Sequence, residues 1–303
     1  MVVKARLLGS ALVAMALAVG VRAQAPWTPL RTPDGHPDLQ GYWYFGSATP
    51  LERPKEFEGK TFLTAEEAAA FEERTDEHRG DVLAVHAPEW LDYGKRMGTD
   101  RRTSLIIDPP DGRVPALTRE AQTRQQGRAP VSGETGADRP QDLSLWVRCI
   151  GRGMPSAIFP TVYNANVQIV QAPGVVALTY EMIHDTRIIY TDGKPHVGPG
   201  IRGYFGDSKG RWEGNTLVVD VANISDKNNY RGSRDTLHLV ERFTRVGTAL
   251  RYEVTAEDPH TWTAPWTAAL ELEPQPEGMF EYACHEGNNS MRNILSGARA
   301  TER

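Results

Sequence analysis

Residues 203–258 read GYFGDSKGRWEGNTLVVDVANISDKNNYRGSRDTLHLVERFTRVGTALRYEVTAED, and this stretch decides the class of fold. Residues 215–221 and 236–243 carry the β-branched and aliphatic side chains of strands, and apolar and polar side chains alternate over 250–255. Turn-forming residues separate these runs at 206–210, 225–232 and 246–248. Short strands divided by polar turns are typical of an antiparallel meander. The stretch therefore predicts a mainly β protein, either a barrel or a sandwich.

Further elements are predicted on both sides of this stretch. Thr64 and Glu67 form the capping box of a helix over residues 64–74, and a short closing helix follows over 291–303. Residues 50–160 are largely irregular, which indicates an arm or insertion over one side of a single domain spanning 24–303. Other strands are predicted at residues 38–45, 104–107, 167–170, 175–181, 186–190 and 280–284.

The first 23 residues have the pattern of a secretory signal peptide. Lys4 and Arg6 precede an apolar run over 7–21, and Val21-Arg22-Ala23 offers small residues at a cleavage point. An uncleaved anchor is the alternative, although the run is short for a membrane span. We therefore expect an exported, periplasmic or secreted protein without stable membrane insertion.

Charge and cysteines narrow the function further. The net charge of -5 and the pI of about 5.9 argue against a nucleic-acid partner, which requires a clustered positive surface. Cys149 and Cys284 are the two cysteines, and export favours a disulfide between them. Two unpaired thiols, or a reactive thiol at Cys284 beside His285 and Glu286, are the alternatives. The sequence does not indicate the oligomeric state.

Two resemblances follow from particular motifs. Gly41-Tyr42-Trp43 resembles the Gly-x-Trp opening of lipocalin-like barrels, which implies that the Trp plugs the closed end and meets an Arg from a late strand. The chain over 30–303 also resembles a family of exported bacterial proteins, and this resemblance implies membership without an activity. The segments that carry it are residues 102–113, 180–185, 206–208, 210–214, 240–245, 257–259 and 282–288. The predicted architecture is accordingly an antiparallel lipocalin-like barrel with a long N-terminal arm, and a β-sandwich is the alternative.

The densest group of acid–base residues lies at the end of a predicted strand. Tyr180, Glu181, His184 and Asp185 fall where the chain turns before the next strand, at the mouth of a barrel. A His titrates near neutral pH, and a neighbouring carboxylate can orient it or share its proton. We interpret these four residues as candidate catalytic groups, and a turn cap formed by Asp185 with a packed His184 is the alternative.

His285 and Glu286 form a second candidate catalytic group, after the last predicted strand. Adjacent residues of an extended chain point to opposite sides, so both could face one substrate only if the chain turns at Gly287. A disulfide at Cys284 would hold this segment near Arg148 and Arg152.

Three more side chains are candidates for substrate contact. Trp262 and Trp266 lie in a predicted loop, where an aromatic ligand could stack on them, and Arg202 completes the set. Packing in the core is the alternative for both tryptophans. Residues 206–210 match a Gly-x-Ser-x-Gly elbow, but no helix pattern follows, so we interpret Ser208 as part of a hairpin turn.

The sequence predicts no metal site and no cofactor. The eight histidines are scattered without a metal-binding spacing, and no phosphate loop or dinucleotide fingerprint is present. Two functions fit these observations: a cofactor-independent enzyme using acid–base chemistry, such as a lyase, isomerase or hydrolase, on a small aromatic or cyclic substrate, or a non-catalytic small-molecule carrier of the cell envelope.

Overall fold

The computed structural model describes residues 28–82, 93–126, 139–228 and 230–301, so the predicted signal peptide lies outside the described residues. The described residues form a β-barrel with three α-helices around it. No helix in this part of the chain combines the length and apolarity of a membrane span. The helices are α1 (Ala65–Val82), α2 (Arg119–Gln126) and α3 (Ser290–Thr301). The strands are β1 (Gly41–Tyr44), β2 (Ile106–Asp108), β3 (Asn166–Ala172), β4 (Val175–Tyr180), β5 (Thr186–Tyr190), β6 (Asp207–Glu213), β7 (Thr216–Ala222), β8 (His238–Val246), β9 (Ala249–Glu257) and β10 (Trp266–Pro274).

The strands form one sheet that closes on itself. The order is β1-β3-β4-β5-β6-β7-β8-β9-β10-β2, and pairing of β1 with β10 completes a ring of nine strands. The strand β2 pairs beside the start of β10. All pairings are antiparallel except β5 with β6, because residues 191–206 carry the chain back along the barrel before β6 begins. Closure confirms the barrel and excludes the sandwich.

Alternation along the strands determines what fills the barrel. In β8, Leu239, Glu241 and Phe243 are buried while their neighbours are partly exposed. The same period-two pattern in β9 buries Tyr252 and Val254. The barrel interior is therefore packed with apolar side chains and carries a few deeply buried polar groups.

Trp43 is buried on β1, where it pairs with Pro274 at the end of β10. Its side chain is 2% exposed, and its indole N–H donates to the Leu39 carbonyl over 2.9 Å. The guanidinium carbon of Arg245, on β8, lies 4.6 Å from the centre of the Trp43 ring. This cation–π contact is the arrangement that the Gly-x-Trp motif implied.

The helix predicted at residues 64–74 is the N-terminal part of α1, and the capping box is confirmed. The Glu67 N–H donates to Thr64 Oγ1 over 3.2 Å, and the Thr64 N–H donates to Glu67 Oε2 over 2.9 Å. The closing helix predicted at 291–303 is confirmed as α3, whereas α2 was not predicted from its mainly polar sequence.

The last strand was predicted in the wrong place. It is β10, where Trp266, Ala268, Leu270 and Leu272 point inward and the residues between them point outward. Residues 280–284 join no strand, because backbone N–H groups in this segment donate to side chains. The turn predicted at 206–210 is also wrong, since β6 begins at Asp207 and the chain reverses only after Glu213.

Candidate functional site at the loop end of the barrel

The end of the barrel opposite Trp43 gathers the long connections, and we call it the loop end. The connections β4–β5 (181–185), β7–β8 (223–237) and β9–β10 (258–265) meet there, with residues 148–165 before β3. Several non-glycine residues in these segments have positive φ, a conformation that costs of order 1–3 kcal/mol each and clusters at functional sites. They are Cys149 (53°), Asn164 (53°), Ile183 (70°), His184 (55°), Asn223 (57°) and Arg231 (49°).

Aromatic rings fill the interior beneath the loop end. Trp262 and Trp266 are 2% and 0% exposed, and their rings meet edge to face at 5.6 Å. Phe159 lies 6.3 Å from Trp266, and Tyr230 lies 6.2 Å from it. Both tryptophans thus occupy core positions, and Trp266 belongs to a strand instead of the predicted loop. Their indole N–H groups have no hydrogen-bond partner among the described residues.

A buried ion pair crosses the barrel interior. The Arg187 guanidinium donates to both carboxylate oxygens of Glu241, with 3.0 Å between Nη1 and Oε1. Arg187 also donates from Nε to Ser208 Oγ over 2.8 Å, and the Tyr252 hydroxyl donates to Glu241 Oε1 over 2.7 Å. The Arg187 and Glu241 side chains are 2% and 0% exposed. Ser208 is thus a core hydrogen-bond partner within β6.

Two of the predicted catalytic residues hold the C-terminal segment against the β4–β5 connection. Glu181, 1% exposed, accepts the Phe280 N–H over 2.8 Å and the Asn166 side-chain amide over 2.6 Å. His184 is exposed, and its Nδ1 accepts the Tyr282 N–H over 3.3 Å. Both carboxylate oxygens of Glu181 therefore accept hydrogen bonds. We call Glu181 a clamp, because it holds the C-terminal segment at Phe280 against the β4–β5 connection.

Asp185 and Tyr180 have different surroundings. Asp185 is partly buried, burial raises its pKa, and none of its hydrogen bonds goes to another described side chain. Its Oδ2 lies so close to Gly151 that a Cβ there would sit 2.9 Å away. Tyr180 is buried and stacks on Phe205 at 5.5 Å, and burial raises its pKa to about 12. Asp185 is therefore a carboxyl group at the loop end whose surroundings favour its protonated form.

The second predicted catalytic group is tethered to this region by a disulfide. Cys149 and Cys284 are bonded, with 5.8 Å between their Cα atoms. This confirms the cysteine pairing and excludes a free thiol at Cys284. His285 and Glu286 follow the bond and are exposed. The bond fixes the C-terminal segment to residues 148–165, but it does not direct these two side chains into a pocket that the structure describes.

Sequence reasoning gave no role to Arg152, which the fold places beside this group. Its Nη1 donates to Thr161 Oγ1 over 3.0 Å and contacts Met182 Sδ at 3.5 Å, within the β4–β5 connection. Its guanidinium lies 5.1 Å from the centre of the Trp146 ring. The sequence indicated Arg152 only indirectly, since the predicted disulfide placed residues near position 152 beside Cys284.

The remaining predicted contact, Arg202, is engaged elsewhere. Its Nη1 donates to the Asp235 carbonyl over 2.7 Å and to the Ile224 carbonyl over 3.3 Å. Arg202 thus supports the β7–β8 connection. Within the described ranges, no group of three or more His, Cys, Asp or Glu side chains is arranged to hold a metal ion.

The structure describes two spaces at the loop end. An open cleft of about 400 Å³ is bordered by Leu117, Arg231 and Trp262. A cavity of about 10 Å³, the space of one water molecule, lies between Arg152, Tyr180 and Phe159. The smaller cavity cannot hold a ligand, so a ligand near Asp185 and Arg152 would contact the rim that these residues and the rings around them form.

Comparison with protein-family models, with curated proteins and with solved structures finds no match for this chain.

Proposed function

We propose that this protein is exported, that it binds a small aromatic or cyclic molecule at the loop end of the barrel, and that it acts on this molecule by acid–base chemistry without a cofactor. The observation that carries this proposal is Asp185, a partly buried carboxyl group with a raised pKa. Perturbed carboxyl groups of this kind are typical of general acids and bases.

The strain of the same connection supports the proposal. Ile183 and His184 both have positive φ, and a β-branched residue such as Ile183 rarely adopts this conformation. The strained residues place the Asp185 carboxylate against Gly151, where a side chain on residue 151 would crowd it. The clamp by Glu181 holds the C-terminal segment over the same connection.

In this chemistry, the Asp185 carboxylate removes a proton from a carbon next to a carbonyl group of the substrate. The electron pair of the broken C–H bond moves into the carbonyl as an enolate, and a proton then returns to the substrate. Isomerisation, elimination and proton exchange all begin with this step. No oxidant or reductant is required.

Deuterium exchange into simple carbonyl compounds tests this step directly. The protein is incubated in D₂O with 2-tetralone or phenylpyruvate, and proton NMR follows exchange of the carbon-bound hydrogens above a buffer blank. We expect exchange that rises with pH as Asp185 ionises. Asp185→Asn should reduce it by about 100-fold or more, the range for a lost general base. Full exchange by a folded Asp185→Asn variant would refute the role of Asp185.

A carrier function is the second candidate, and the positions of the predicted acid–base residues favour it. Glu181 is fully engaged and His285 and Glu286 are exposed, so Asp185 lacks an evident partner acid among them. Ligand-observed NMR distinguishes the two functions, because a carrier binds the compounds while their hydrogens do not exchange.

A further inference from the structure

We propose that Arg152 is an anion-binding residue and that the ligand of the loop end is an aromatic or cyclic carboxylate. This inference rests on the proposed function, because it specifies the chemical class of ligand for the same rim. In this proposal, Arg152 binds the carboxylate group of the ligand, and the surrounding aromatic rings contact the apolar part of the ligand.

The first argument is the missing counter-ion. Arg152 is partly buried, and its hydrogen bonds go to the hydroxyl of Thr161 and the thioether of Met182, neither of which is charged. No carboxylate among the described residues lies within ion-pair distance of Arg152, whereas Arg187 is fully paired with Glu241. A guanidinium retains its charge in proteins, so the partial burial of Arg152 costs desolvation free energy that no neighbouring anion offsets.

The tyrosines around Arg152 do not supply that anion. Tyr163, Tyr230 and Tyr282 lie close enough to act electrostatically on Arg152. Burial raises the pKa of Tyr163 and of Tyr230 to about 12, so both phenols are neutral at physiological pH. The positive charge of Arg152 is therefore available to a ligand.

The second argument is the surface that surrounds the charge. Tyr163 and Tyr282 stack with their rings 6.2 Å apart, and Trp146 lies 6.4 Å from Tyr163. Trp146 is 37% exposed although it packs against the Arg152 guanidinium. Aromatic side chains that border one arginine are suited to a ligand that combines an apolar ring with an anionic group.

The third argument is the position of the charge relative to Asp185. Arg152 contacts Met182, three residues before Asp185, and Gly151 lies directly against the Asp185 carboxylate. The anion site and the proposed base therefore flank one short connection. A carboxylate held by Arg152 would leave the remainder of a small ligand near Asp185.

Paired ligands test this proposal. Binding of phenylacetate and cyclohexanecarboxylate is measured by NMR titration and compared with phenylacetamide and cyclohexanecarboxamide, their neutral amides. We expect the acids to bind about 10- to 100-fold more tightly than the amides, as for a charge-assisted hydrogen bond. Arg152→Met should remove this preference by weakening acid binding to about the level of the amides, and circular dichroism shows whether the variant is folded.

Two control variants sharpen the result. Arg152→Lys retains the charge without the planar fork and should retain part of the preference. Arg242→Met removes the same charge from an exposed pair with Glu213 and should change nothing. If acids and amides bind equally, or if Arg152→Met retains the preference, the anion site is refuted while the proposed function stands. If none of the four compounds binds, the anion site is refuted, and deuterium exchange into 2-tetralone decides the proposed function separately.

Discussion

The buried pair of Arg187 and Glu241 permits the sharpest test of the fold. Glu241→Leu would leave the Arg187 guanidinium in the barrel interior with hydrogen bonds to neutral groups alone, among them Ser208 Oγ. Because an arginine cannot lose its charge on burial, the variant bears the whole desolvation penalty. Removal of one partner of a buried pair typically costs about 3–5 kcal/mol, and we expect Glu241→Leu to destabilise the protein by that amount.

The double variant Arg187→Met/Glu241→Leu should be more stable than either single variant. It removes both charges and leaves the hydroxyls of Ser208 and Tyr252 without these partners, each at a cost of about 1 kcal/mol. The coupling free energy between the two substitutions should therefore reach at least about 3 kcal/mol. Urea unfolding at pH 7, followed by circular dichroism and tryptophan fluorescence, gives the four free energies of the cycle.

A surface pair provides the matched control. Arg251 and Glu253 lie 2.8 Å apart, but their side chains are 45% and 27% exposed. Their coupling should stay below about 1 kcal/mol because solvent screens the charges. Additive effects of the two buried substitutions, to within about 0.5 kcal/mol, would show that Arg187 and Glu241 do not depend on each other and would refute the argument.

Three further outcomes are expected. Replacing Cys149 and Cys284 together by serine should lower the free energy of unfolding by about 2–5 kcal/mol, because the bond closes a loop of 135 residues in the unfolded chain; urea unfolding that matches the wild-type protein would contradict this. Burial raises the Asp185 pKa, so its destabilising charge is absent at pH 3 and complete above the raised pKa. The stability of Asp185→Asn relative to wild type should therefore increase from pH 3 to pH 7, and a flat difference would refute the raised pKa. Gly206→Ala should cost at least about 1–2 kcal/mol, because residue 206 has φ of 70° and a Cβ there would lie 2.5 Å from the Ala222 carbonyl oxygen; an unchanged melting temperature would argue against this backbone.

Most strands of the barrel could be predicted because their alternation is regular, and the failures have identifiable causes. The inward series of β10 is Trp266, Ala268, Leu270 and Leu272, and this period-two signal was present in the sequence. The two tryptophans instead suggested an exposed loop. Residues 280–284 have strand-like composition, but composition does not show that their N–H groups bond to Glu181 and His184.

Glu241 shows why the inside of the barrel could not be predicted from charge alone. Arg251 and Glu253 pair with each other along the exposed side of β9. Glu241, however, is at one of the alternate positions of β8 that point inward, like Leu239 and Phe243. Its partner Arg187 lies on β5. An ion pair between residues 54 positions apart depends on barrel closure, which no local pattern records.

The filled interior determines where function can reside in this protein. Packed aromatic rings and the Arg187–Glu241 pair occupy the space beneath the loop end, so the barrel itself acts as a rigid frame. Under the proposed function, the reactive and binding groups come from the segments laid across its rim. The two polar segments that the sequence presented as separate sites, residues 180–185 and 284–288, form one unit there, because Glu181 and the disulfide at Cys284 hold the second segment against the first. Asp185 and Arg152 are partly buried charged groups beside this unit, without an ion-pair partner among the described residues. Under the proposed function, the activity should therefore depend on how firmly the C-terminal segment is held.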